Sequence, residues 1–273
     1  MGSDWRIHHG GGVSGADAQA IADQVALDEA RWSRFQPLSD VARITRGAGG
    51  SVEVAAATLD LIEAASGWSE RTHGVFQPLV GLALTDWGYR GGVGDAAPAG
   101  APQSRLVDGG LIVDRAAGTV TIPKGRALDL GGIGKSWAAV RAGRLLETLC
   151  GDDRLIIDAG GDLTIVRGVH TIVTAAGPVA AVAGEGVATS SSERRSWTLG
   201  DGTVAHHLID PATGNPACRG TAVVAGTDPV AADVLASCLV IRPELIESLA
   251  VPAARISLNG SVATTNSWSD VAR

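Results

Sequence analysis

The chain has 273 residues, 45% of them apolar, with 37 glycines and a net charge of −7. That length buries an ample core and suits one large domain or two closely packed lobes. The charge balance argues against binding of polymeric nucleic acid, which needs a cationic stripe: positive charge is almost all arginine, scattered singly, with lysine only at positions 124 and 135. A small phosphate ester stays open, because metal ions and backbone amides can neutralise it without a basic face. Cys150, Cys218 and Cys238 are widely spaced and odd in number, which indicates neither a disulfide framework nor a zinc site. No run approaches ~18 apolar residues, so no transmembrane segment is expected. The opening MGSDWRIHHGGG has no apolar signal core and no cysteine for lipid attachment, so the expected location is cytoplasmic.

Residues 16–32 carry apolar positions at helical spacing, and residues 52–66 repeat that pattern with Gly67 as a stop. SRFQPLSDVARITRGAGG between them reads as irregular. Residues 85–104 are rich in Gly, Ala and Pro and read as a loop. Short strands are expected at 111–114 and 119–123. ALDLGG at 127–132 then leads into a helix from about Lys135 to Leu149. LIIDAGGD (155–162) reads as a buried strand, with further strands around 163–166 and 170–174. HHLIDPATGNP (206–216) reads as a strand breaking into a turn, and TAVVAG (221–226) as another strand. A helix begins after Asp228-Pro229, with Asp228 as cap and proline in the first turn. Residues 254–264 close the chain as a hairpin strand. Without regular βαβ alternation, this order predicts an α+β fold, taken here as one domain over 1–273.

Two nucleotide fingerprints fail. GGIGKS at 131–136 ends like a P-loop, but Asp129 occupies the place of its first glycine. GVGDAA at 92–97 matches a dinucleotide motif, yet Pro98 follows at once and no strand precedes it. Asp233 and Ser237 are more informative: four apart on a predicted helix, they project from one face and can offer a hard cation two oxygen ligands. The same spacing also suits a helix whose polar positions face water. The remainder of VAADVLASCLVI is apolar, however, so an unpartnered Asp233 would cost several kcal/mol. GGIGK is either a tight strand-to-helix turn or a place where backbone groups approach an ion or phosphate, with Lys135 adding a point charge. GGD at 160–162 admits the same two readings. His207 and Asp210, three apart before Pro-Ala-Thr-Gly, fit either a base oriented by a carboxylate or a structural histidine at a strand end.

Taken in order, MGSDW, SRFQPLSDVARI, VFQPLVGLALTDWGY, ALDLGGIGKSWAAVRAGRLLE, LIIDAGGDL, GVATSSSERR, HHLIDPATGNPA and VAADVLASCLVI resemble eight blocks of the ApbE family, the magnesium-dependent FAD:protein FMN transferases. The resemblance implies an α+β fold of two related halves, with mixed and antiparallel sheets and the flavin between them. It implies Mg2+ held by Asp233, Ser237 and the backbone carbonyl of Gly134. FAD would be the substrate, lined by Met1, Phe35, Phe76, Gln77, Gly131, Lys135, Trp137, Thr189, Ser190 and His207. The implied reaction moves FMN from FAD to a Thr or Ser hydroxyl of an acceptor protein, with His207 and Asp210 as candidates for the proton transfer. The sequence departs from the family pattern at Gln77, Ser136, Val140 and Ser237, and in the SSSERR loop. An FAD pyrophosphatase using water and a non-catalytic flavin-binding protein are the competing readings.

Overall fold

The computed structural model describes residues 2–89, 100–102 and 110–273. Among the described residues the α-helices are, in chain order, α1 Gly15–Trp32, α2 Asp40–Arg46, α3 Ala56–Arg71, α4 Gly81–Asp86, α5 Gly134–Leu149 and α6 Pro229–Ile241. None of them is long and apolar enough to cross a membrane. The chain divides into two compact units. The first gathers Met1–Glu29, Ile133–Ser191 and Arg219–Arg273, and the second Ala30–Gly132 and Ser192–Cys218.

The first unit is built on a seven-stranded sheet. Its order is Trp5–His9, Leu155–Ala159, Leu163–Arg167, Gly186–Ser191, Thr221–Thr227, Ala253–Ile256 and Val262–Thr264, with neighbours antiparallel throughout. Successive side chains of a strand point to opposite faces, and both faces here are covered. Leu155, Ile157, Ala159 and Val166 pack with Ala139, Ala142 and Leu146 of α5 and with Ile21 of α1. Ile156, Ile165, Val187, Val223 and Ala225 face the other way. They are covered by Val179 and Ala181 of the Val169–Thr174/Gly177–Val182 hairpin and by Trp268. Burial on both faces explains why LIIDA and TAVVAG are nearly continuous apolar runs.

The α6 helix is apolar nearly all round, and every residue of it except Leu235 is buried, as such a helix must be. Its start is fixed by Asp228, whose side chain accepts from the Val230 and Ala231 amides at 3.0 Å each. Gly186 lets it lie close on the sheet. A Cβ at that position would stand 2.5 Å from Pro229 Cα and 3.2 Å from the Leu163 carbonyl oxygen.

In the second unit, a buried polar node fixes two helix starts. Ser39 caps α2 by accepting from the Ala42 amide at 3.0 Å. Asp40 Oδ2 accepts from Thr58 Oγ1 at 2.6 Å and from the Ala55 amide at 3.2 Å, while Trp32 Nε1 donates to Thr58 Oγ1. The Thr119–Thr121 strand lies between Ser51–Glu53 and Ile112–Asp114. Ala83, Leu84 and Trp87 pack against Leu199, Ala205 and Ile209, and Trp87 Nε1 donates to the Gly214 carbonyl at 2.8 Å.

The structure corrects three local expectations. The segment read as irregular contains α2, because Ser39 supplies a side-chain cap just before its apolar positions Val41 and Ile44, both fully buried. The helix expected at 52–66 begins later and runs through Gly67: Ser51–Glu53 is a strand paired with Thr119–Thr121, and α3 spans Ala56–Arg71. A glycine inside a helix costs roughly 0.5–1 kcal/mol, less than the gain from burying Leu59, Leu61, Ile62 and Ala65. Thr85 and Asp86, read as loop, close α4. Most of the expected 85–104 loop, including GVGDAA, lies outside the described residues.

Because backbone and not a flexible side chain opposes a Cβ at position 186, Gly186→Ala should destabilise the fold by ~1–3 kcal/mol, the usual penalty of overpacking. Denaturant melts of the two proteins give the number directly. A shift below ~0.5 kcal/mol would show that α6 is not held this tightly.

Candidate functional site

The Asp228 cap and the seat over Gly186 set which face α6 turns where, and Asp233 and Ser237 follow from them. Asp233 is only 3% exposed. Its carboxylate is met by the first turn of α5, where both the backbone N–H and the hydroxyl of Ser136 face it. That hydroxyl has the Ile133 carbonyl oxygen at 3.0 Å as its alternative acceptor. The N-cap of α5, Ile133, offers no side-chain cap, so the carboxylate of α6 does for this helix what an Asp cap would do in sequence. Asp233 Oδ2, though fully buried, has no hydrogen-bond partner among the described residues.

Lys135 and Asp162 complete the cluster. Lys135 Nζ lies 2.9 Å from Asp162 Oδ2, both side chains being mostly buried. Asp162 Oδ1 accepts from the Thr189 amide at 3.3 Å. Gly160 and Gly161, at φ +79° and +101°, make the left-handed turn that ends the Leu155–Ala159 strand and delivers Asp162. Burial pushes the Asp233 carboxyl up to about 7; Lys135 opposes that rise, Asp162 adds to it, and the Ser136 donors oppose it. Two carboxylates thus share one ammonium in a poorly solvated place. Ser237 Oγ is 2.9 Å from Ser190 Oγ, and Thr189 and Ser190 sit side by side on the Gly186–Ser191 strand.

The donor set fits a hard cation. A buried carboxylate oxygen without a partner, a serine hydroxyl on the next turn of the same helix and the backbone of buried Gly134 at the start of α5 are the oxygen ligands magnesium takes. Among the described residues no three His, Cys, Asp or Glu side chains group around a common point. A magnesium site needs few carboxylates and does not depend on such a group.

The remaining expected flavin contacts fall as follows. Trp137, partly buried, is in the first turn of α5, next to Ser136. In the second unit Phe35 is 45% exposed, whereas Phe76 is buried against Gly132, its ring 3.3 Å from where a Cβ there would stand. Gln77 Oε1 accepts from the Leu79 amide at 3.1 Å, and the Gly131 amide donates to Asp129 Oδ1 at 2.8 Å. Met1 lies outside the described residues.

The two adjacent histidines differ in their surroundings. His206 is fully buried and structural: its Nδ1 accepts from the Leu208 amide at 3.3 Å, which leaves Nε2 to donate to the Ala217 carbonyl at 3.0 Å. His207, just past the end of the Val204–His206 strand, has Nδ1 3.4 Å from the Arg195 carbonyl oxygen and its ring 6.3 Å from that of Tyr89. Asp210 holds its own turn, accepting from the Ala212 amide at 3.0 Å. Asp162 and Ser136 were missed as members of the cluster. Asp162 was legible only as the acid ending GGD after an apolar strand, and Ser136 only as a departure from the family's glycine.

This α+β arrangement of helices on an antiparallel sheet is the fold of the ApbE proteins. The structure superposes on the ApbE protein of Thermotoga maritima with a TM-score of 0.86 at 23% identity, covering 98% of this chain and 94% of that one. For the flavinyl transferase ApbE of Pseudomonas stutzeri the TM-score is 0.79 at 20% identity, with 99% and 94% covered. In sequence the chain is 26% identical over 246 residues to the FAD:protein FMN transferase of Klebsiella pneumoniae (strain 342), spanning 79% of this chain and 68% of that protein. The model of the ApbE family matches residues 1–254, and the chain belongs to that family.

A cation that answers Asp233 Oδ2 should stabilise the folded chain by linkage. At a magnesium concentration ~100-fold above Kd the gain is about 2.7 kcal/mol, a rise in Tm of roughly 5 °C for a protein of this size. Calorimetry should show that rise in wild type and not in Asp233→Ala. Equal shifts in both proteins would remove Asp233 from the metal site.

Proposed function

We propose that the chain is a magnesium-dependent FAD:protein FMN transferase that moves FMN from FAD to a Thr or Ser hydroxyl of an acceptor protein, releasing AMP, and that residues 1–273 act as one catalytic domain. The observation that carries this reading is the buried Asp233 carboxylate, with Oδ2 unpartnered and Ser237 one turn on. A site for flavin binding alone has no use for it. The name and the likeness of the Klebsiella relative support the reading.

Magnesium held by Asp233, Ser237 and the Gly134 carbonyl would supply charge neutralisation on the FAD pyrophosphate. The chain's own residues do the rest. Lys135, an ammonium with three donors, can keep Asp162 and still offer a hydrogen bond to a phosphate oxygen. Asp162 thereby fixes where that charge is presented. The start of α5 adds amides and the positive end of its dipole. Phe35, Phe76, Gln77, Gly131, Trp137, Thr189, Ser190 and Met1 are the proposed contacts to the remainder of FAD. His207 would take the proton of the acceptor hydroxyl as its oxygen bonds to the FMN phosphorus. The bond from that phosphorus to the bridging oxygen breaks, and AMP leaves with the bridging oxygen.

Incubation with FAD, magnesium and a Thr- or Ser-containing acceptor, read by mass spectrometry, tests the assignment. Transfer predicts an acceptor heavier by FMN less one water, with one AMP released per turnover. Free FMN with an unmodified acceptor would establish a pyrophosphatase instead, and unchanged FAD a binding protein.

The Ser237 hydroxyl is open to a separate check. Thr shares the hydroxyl and restricts its torsion within a helix, so Ser237→Thr should keep or modestly improve the magnesium midpoint of FAD cleavage. Ser237→Ala should raise that midpoint clearly while leaving residual activity, since Asp233 supplies most of the attraction. A wild-type midpoint in Ser237→Ala would remove the hydroxyl from the ligand set.

A further inference from the structure

Arg34, just past the end of α1, holds the Gly81–Tyr89 stretch by hydrogen bonds and Asp129 by an ion pair, all within the second unit. Its Nη1 donates to the Gly81 carbonyl at 3.1 Å and to Thr85 Oγ1 at 3.0 Å. Nη2 donates to the Tyr89 carbonyl. Nε lies 3.0 Å from Asp129 Oδ2, both side chains being nearly nine-tenths buried. The face of the guanidinium is used as well: its carbon sits 4.6 Å from the Phe35 ring centroid and 5.4 Å from that of Tyr89. Asp129 passes the constraint on, because its other oxygen holds the Gly131 amide at 2.8 Å.

Two of the groups held in this way gain little from the core. Phe35 is 45% exposed, yet its ring is pinned between the Arg34 cation and the edge of Tyr89, with centroids 5.7 Å apart at 81°. Gly131 is exposed, yet its amide is fixed by a buried carboxylate. An exposed ring and an exposed turn locked by buried charges describe a surface set before its ligand arrives.

We infer that Arg34 is a positioning residue: through Phe35 on one side and the Asp129–Gly131 relay on the other, it presets the surface that receives FAD. The inference rests on the flavin-transferase reading above, in which Phe35 and Gly131 touch the substrate. It assigns Arg34 to affinity and not to the phosphoryl step, whose proposed groups are Asp233, Ser237, Lys135 and His207. Only arginine fits the task. Its planar fork offers five donors in fixed directions and a face for aromatic rings, whereas a lysine ammonium supplies one compact charge.

Arg34→Lys and Asp129→Asn, each checked for a cooperative melt, should raise the KM for FAD by about 10-fold or more, as expected for loss of charge-assisted hydrogen bonds. The Kd for FMN, read by flavin fluorescence quenching, should rise in parallel, while kcat at saturating FAD stays within about 3-fold of wild type. A purely structural role would lower Tm and the active fraction, and so kcat, with KM unchanged; that outcome overturns the inference, as do wild-type KM and Kd in both folded variants. If Arg34→Lys does not fold, Asp129→Asn alone decides, because it keeps the shape while removing the charge and one of the two acceptor oxygens. Failure of wild type to cleave FAD would instead sink the functional reading, and it is seen before any variant is made.

Discussion

Asp233 stands in a helix with no polar face to lend it, and a carboxylate there loses its water without gaining a full set of partners. Much of the local structure answers that constraint. The uncapped start of α5 turns toward it, Ser136 offers two donors, and Lys135 brings a charge within reach. Lys135 is in turn anchored by Asp162, which depends on two left-handed glycines at the end of a central strand. The account still does not balance, since Oδ2 stays unmatched. On the proposed function a cation would complete it, and the unfavourable burial itself would then be the reason for affinity.

The sequence revealed the parts of this arrangement that obey local rules. The Asp228-Pro229 start, the one-sided Asp233/Ser237 pair and the helix from Lys135 to Leu149 follow from capping and periodicity, and the structure has all of them within a residue or so. The sheet was less legible. Trp5–His9 looks like a polar opening segment because it is an edge strand with much of its surface exposed, and only its pairing with Leu155–Ala159 makes it a strand. Gly186–Ser191, legible in the sequence only as part of a block that resembles the family, is central to the sheet; its pairing with Thr221–Thr227 and the seat of α6 decide it. The pair between Lys135 and Asp162 spans 27 positions and leaves no local trace. Asp129 stands out in the sequence only for the glycine it is not, and nothing local marks its partner Arg34.

The two halves of the candidate chemistry rest on different kinds of support. Around Asp233 the positions are set by a buried helix on a buried sheet, where shifts are resisted by close packing on every side. Around Phe35 and Tyr89 they are set by hydrogen bonds and ring contacts near the surface, where one charged side chain holds several short segments. Tyr89 also stacks on Trp197 at 5.6 Å and 15°, and Arg195 donates to its hydroxyl at 3.0 Å.

The first unit is assembled from three stretches of chain, and its seven-stranded sheet draws on all of them. Trp5–His9 finds its partner ~150 residues later, and Gly186–Ser191 pairs with a strand that emerges after another part of the chain has intervened. During synthesis the opening strand and the first turns of α1 therefore wait, unpaired, until most of the protein has left the ribosome. The sheet cannot close before Thr221–Thr227 and α6 arrive. A topology so rich in distant pairings folds slowly and leaves apolar strands such as LIIDA uncovered in the meantime, so the same arrangement that buries Asp233 exposes the nascent chain to aggregation until the sheet closes.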